Sequence, residues 1–157
     1  MPSNDMDTNM TGFYHRWLII WCWMTILIGA LFALSVFAGL RAPTLLFLDI
    51  IFWPIDGQPA TLSREAVLGT ALVGAVMVGW GVLMLGLAQD EQLSKEPRVW
   101  RLMTTSVVVW FVVDSTASVI GGAGLNALSN AVFAAMFVYP VVRSGVLSGR
   151  VGVGRPA

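Results

Sequence analysis

The sequence has one cysteine, Cys22, and one histidine, His15. A single cysteine excludes an internal disulfide and a cysteine-based zinc site. A single histidine excludes the paired axial ligands of a b-type haem within one chain, leaving only a symmetric dimer to supply the second. A Ser-His-Asp triad would have to use His15, which stands beside Arg16 at the edge of an apolar run. The P-loop, GxGxxG and HExxH patterns are absent. Charge is also scarce: 11% of residues are charged, against roughly a quarter in soluble domains, which argues against a water-soluble fold. Nine basic and nine acidic residues cancel, so no net field recruits nucleic acid. These absences predict a non-enzymatic chain with no catalytic residue, metal or cofactor.

What is plentiful is hydrocarbon. Hydrophobic residues make up 57% of the 157 positions, which excludes intrinsic disorder and leaves room for one domain. The polar first dozen residues, Met1 to Gly12, read as a flexible cytoplasmic tail. Trp17 to Gly39 is then uncharged for 23 residues, enough for a spanning helix, which needs about 20. Val36-Phe37-Ala38 mimics a signal cleavage site, but the run exceeds the roughly 7–15 residues of a signal core, so the helix is retained. A second uncharged run covers Ala66 to Ala88, with Thr61 or Ser63 to cap its start and Glu65 in its first turn. Ser94 and Pro97 announce a third helix, about 98–120, whose apolar run from Leu102 to Ile120 holds one charge, Asp114. The fourth, about 125–142, ends at Arg143. The tail 144–157 is glycine-rich and basic, suited to touching anionic lipid.

Orientation follows from Lys and Arg in the short loops. Arg16, Lys95, Arg98, Arg101, Arg143, Arg150 and Arg155 fall on one side, Arg41 and Arg64 on the other. Both termini are therefore expected in the cytoplasm. Trp17, Trp21, Trp23 and Trp100 would form an aromatic belt at that edge, with Trp53 at the other. The ten apolar residues 44–53, bracketed by Pro43 and Pro54 and interrupted by Asp49, are too short to span. They predict an interfacial or re-entrant helix on the outer face, serving either as a connector or as a cover over the bundle.

Asp114 is the residue most suggestive of function. An ionised Asp at a helix centre costs roughly 2.5–3.5 kcal/mol on insertion scales, so it is expected to face its neighbours rather than lipid. The tight turn Gly121-Gly122-Ala123-Gly124 sets residues equally far from its centre at equal depth on two antiparallel helices. Asp114 then meets Asn130 or Ala131, and Ser118 meets Ala127 or Leu128. Asp114 and Ser118 share one helix face, as do Asn126 and Asn130. Together they make a polar cluster that Ser115 and Ser129 extend. One reading is interhelical glue, worth about 0.6 kcal/mol per hydrogen bond; the other is a proton, ion or ligand site. Small residues point to close helix packing: Gly29 and Ala33 on the first helix, and Ala71, Gly74, Ala75 and Gly79 on the second. Outside the membrane, Asp49, Asp56 and Glu65, with Arg41 and Arg64 as counter-ions, match no metal motif and read as a solvated surface.

The segments Asp49-Ile-Ile-Phe-Trp-Pro-Ile-Asp56-Gly57 and Trp110-Phe-Val-Val-Asp114-Ser115-x-x-Ser118 resemble those of uncharacterised small four-helix integral membrane proteins of bacteria. The resemblance runs from about Trp17 to Val142 and implies the fold but no activity; eight Arg to one Lys also fits a bacterial source of high GC content. The expectation is an all-α polytopic membrane protein. One domain, 13–143, holds a four-helix bundle in the bacterial cytoplasmic (inner) membrane, with the extra outer helix in its first loop. Its partners are the lipid bilayer and either another copy or a membrane-protein partner, without nucleic acid. It would act through helix packing as an accessory or assembly subunit, or else as a small carrier or channel-like oligomer for protons, cations or a polar solute at Asp114.

Overall fold

A computed structural model describes residues 3–148. Among them there is no strand. Five α-helices follow in order: α1 Ser3–Ala33, α2 Ala42–Ile51, α3 Arg64–Gln89, α4 Pro97–Ile120 and α5 Gly124–Ser144. Gly12–Val36 and helices α3, α4 and α5 are long and apolar enough to cross a membrane, and α2 is a shorter apolar helix. At 1.5 Å per residue, the 26 residues of α3 extend about 39 Å.

Local chemistry accounts for most helix ends. Ser63 caps α3 by accepting the Ala66 N–H at 3.2 Å, with Glu65 in the first turn. Pro97 begins α4, where a missing N–H costs nothing. The α4–α5 turn closes with paired bonds, Ala123 N–H to Ser118 O at 2.8 Å and Gly122 N–H to Val119 O at 3.2 Å. That motif needs a left-handed residue, and Gly122 takes it at φ +80°.

Two boundaries of the first helix correct the sequence reading. α1 starts at Ser3, so most of the segment expected as a tail continues the helix; propagation adds one hydrogen bond per residue once a helix exists. At its other end α1 stops at Ala33, short of Gly39, and gives way to 3-10 turns at Leu34–Val36 and Ala38–Leu40. Arg41 reaches back and donates to the Ser35 and Val36 carbonyls at 2.8 and 3.3 Å, satisfying acceptors that the ended helix leaves free. Beyond Ser144 the chain makes a 3-10 turn at Val146–Ser148; Arg150 and Arg155 lie outside the described residues.

α1 is the central helix. It packs antiparallel along α3, and α5 packs elsewhere on it and carries α4 as the other arm of a hairpin. The α3 face toward α1 is the series Val67, Ala71, Gly74, Val78, Gly81, Leu85 and Ala88, all buried or half-buried and spaced alternately four and three apart. This is the seam of a left-handed helix pair. At Gly74 the backbones meet: an added methyl group would run into Ala33 N and Gly29 O, and one at Gly29 would lie 2.7 Å from Met77 Cβ. Gly29, Ala33 and Gly74 thus stand at the crossing. Ala75 and Gly79 do not: both are exposed, and a methyl at Gly79 would meet nothing within 4 Å. The seam follows the four-three series through Gly74, which turns the Ala71-Ala75-Gly79 ridge outward at its second and third members.

The aromatic belt also needs correction. Trp21 and Trp100 are buried, at 0% and 1% exposure, whereas Trp23 and Trp53 are exposed. Each buried indole gains a carbonyl partner: Trp21 Nε1 donates to Phe133 O at 2.9 Å and Trp100 Nε1 to Ser94 O at 2.8 Å. Both belong to the core, with Leu18, Cys22, Met84, Ala88, Met103, Val107, Phe137 and Val141. These residues occupy only the half of the molecule nearer the α3–α4 connection.

Candidate functional site

In the other half, a cavity of about 1040 Å³ opens between α3 and α4, at the upper end of small-molecule pockets, roughly 300–1,000 Å³. α1 contributes Ile28 and Phe32, α3 the series Leu72 to Trp80, α4 the series Ser106 to Ala117, and α5 Asn126 to Phe133. α2 adds Phe47, whose ring lies 5.0 Å from that of Phe32. α2 therefore contributes one side chain, Phe47, to the cavity lining.

The floor is a closed circuit of four rings, one from each long helix. Trp21 lies 5.8 Å from Trp80, Trp80 5.9 Å from Trp110, Trp110 6.0 Å from Phe133, and Phe133 4.7 Å from Trp21. Such centroid distances suit edge-on and offset ring packing. Trp80 Nε1 also donates to Ser106 Oγ at 3.1 Å, tying α3 to α4 at the cavity.

One wall is polar. Asn130 Nδ2 donates to Asp114 Oδ2 at 3.0 Å and to Ser115 Oγ at 3.4 Å, and Asn126 Nδ2 donates to Ser118 Oγ at 2.7 Å. Asp114 and Asn130 are equidistant from Gly122, as are Ser118 and Asn126, so the three-residue turn sets the register of both pairs. The first is one of the two pairings expected of Asp114; the second brings Asn126, rather than Ala127 or Leu128, opposite Ser118. Ser129 bonds within its own helix, to Asn126 O at 2.8 Å. Asp114, Asn126, Ser129 and Asn130 line the cavity, while Ser115 and Ser118 stand behind them. Asn130 is 6% exposed. Its amide must present N–H groups to the carboxylate, because the opposite orientation would set two acceptors against each other.

Asp49 is organised differently. Its carboxylate is buried and accepts the backbone N–H of Asp56 at 3.0 Å and of Gly57 at 3.1 Å, which fixes the loop after α2. Arg41 is engaged by the Ser35 and Val36 carbonyls. Asp49 is thus a loop anchor rather than part of a solvated acidic surface. No group of three metal-ligating side chains occurs among the described residues.

The aromatic floor was missed in the sequence, although a signal for it exists. Trp80 and Trp110 lie well inside their apolar runs, whereas membrane tryptophans favour the interfaces. A mid-run Trp marks a helix face turned toward protein. Compared with known proteins, the chain matches no family model, no curated protein and no solved structure.

Proposed function

We propose that the chain is a non-enzymatic integral membrane protein of a bacterial cytoplasmic membrane that binds a small amphiphilic solute between its two helix pairs. It works as a carrier or channel-like unit, with both termini in the cytoplasm. The observation that carries the reading is the cavity: the one charged residue inside the apolar stretch of α4, Asp114, lines an open space between α3 and α4 instead of being buried against a third helix. Supporting it, the Asp114–Asn130 wall offers polar contacts inside a chamber otherwise lined by apolar and aromatic side chains, the usual make-up of a small-molecule site.

The test is thermal unfolding in lipid nanodiscs with three phenyl-rich solutes: cationic tetraphenylphosphonium, neutral benzophenone and anionic tetraphenylborate. At least one should raise Tm in wild type and none in Ala117→Trp, which fills the cavity. If no solute raises Tm, solute binding is wrong. A second reading, an accessory or assembly subunit, is favoured by Phe52, Trp53 and Ile55, which are exposed on the Asp49-anchored loop. A stoichiometric partner retained in mild detergent and lost on Trp53→Ser would support it.

A further inference from the structure

The sign of charge that the cavity accepts can be read from its wall. Asn130 directs its N–H groups to Asp114 and Ser115, and Asn126 directs one of its two to Ser118. Asp114 Oδ1 and the two amide oxygens have no hydrogen-bond partner among the described residues, and all three residues line the cavity. The wall therefore offers three acceptors, one of them a carboxylate oxygen, against the single remaining N–H of Asn126. The lining includes no Lys, Arg or His, so no side chain there neutralises an ionised Asp114. An uncompensated carboxylate in apolar surroundings is costly, and a cation entering from outside relieves that cost.

The floor favours the same sign. Trp80, Trp110 and Phe133 line the cavity, and aromatic faces attract cations lying within about 6 Å of the ring centre. Trp110 is one helical turn from Asp114, on the same face of α4. Access is lateral: Val76 and Val113, on facing rims of α3 and α4, are 72% and 64% exposed. A solute reaching this mouth from the side must itself be apolar over most of its surface.

We infer that the cavity is a binding site for a lipophilic organic cation, its charge set against Asp114 and its apolar body on the Trp80–Trp110–Phe133 floor. This rests on the solute-binding reading and narrows it to one charge class. The experiment is equilibrium dialysis of radiolabelled tetraphenylphosphonium against nanodiscs with and without the protein. Tetraphenylborate, nearly the same in shape but opposite in charge, is the control. Saturable binding of about one phosphonium per chain is expected, with no saturable binding of the borate. Asp114→Asn, which keeps the bond from Asn130, should weaken phosphonium binding at least about tenfold, which is about 1.4 kcal/mol. Trp110→Ala should also weaken it and Trp110→Phe should restore most of it.

Equal binding of both ions, or Asp114→Asn binding as tightly as wild type, overturns the charge assignment. If the borate or benzophenone binds in an Ala117→Trp-sensitive manner and the phosphonium does not, the cation proposal falls and solute binding stands. If none of the three binds, both fall.

Discussion

At the scale of single residues, Asp114 and Asn130 do separable things. Their hydrogen bond joins α4 to α5, and an amide at position 114 would still accept it. Asp114→Asn should therefore change thermal stability by less than about 1 kcal/mol, while Asp114→Leu strands the buried Asn130 amide and should cost about 1–3 kcal/mol. Thermal unfolding in detergent measures both; equal losses would mean that the carboxylate's charge, rather than its bond to Asn130, holds the hairpin. Asp90 allows a second test. Its carboxylate accepts the backbone N–H of Leu93 and Gln92 at 2.8 and 2.9 Å, which holds its pKa below the ordinary carboxylate value. Because the folded pKa is the lower one, this contribution is present above the unfolded value of about 3.9. It is lost as pH falls through the folded value. Protection of the Leu93 amide from exchange should thus persist through the ordinary carboxylate range and fall only at more acidic pH in wild type, and Asp90→Asn should remove that pH dependence.

Among elements, the α1–α3 pair is the tightest unit. Gly74 meets the α1 backbone where no side chain fits, so Gly74→Val must drive the helices apart. Overpacking of a close contact costs typically 1–3 kcal/mol, and a Tm loss of that order is expected. Gly79→Val, on the exposed side, should leave Tm nearly unchanged. Reversal of the two results would mean that the seam runs along the Ala75–Gly79 side instead. Between α3 and α4 the Trp80–Ser106 bond is the tie nearest the cavity. Trp80→Phe keeps a ring in the floor but removes the donor, so it isolates the tie from the packing.

For the whole molecule, the division is between a packed half and an open half. The packed half holds the core around Trp21, Trp100 and Phe137; the open half holds the cavity beside α2. The proposed orientation puts the packed half toward the cytoplasm and the cavity toward the outer leaflet. A reporter fused after Ala157 should then read as cytoplasmic and one inserted at Gly57 as external. The opposite pattern would reverse the orientation while leaving the helices unchanged.

Much of this was legible in the amino acids themselves. The four helices long and apolar enough to cross a membrane follow from run length and from the rarity of charge, since each helix pairs its own backbone whatever surrounds it. The Asp114–Asn130 pairing was legible as one of the two registers that so short a turn allows, and the centring of the turn on Gly122 decided between them. The seam and the cavity were not legible. α3 is apolar nearly all round, so its sequence has no polar face to mark the outward side. Which of its small residues met α1 was decided by backbone fit at Gly74, and the open space between α3 and α4 by how the four long helices pack together. Those are properties of the assembled shape, because apolar side chains agree on what to avoid and leave packing to settle what they touch.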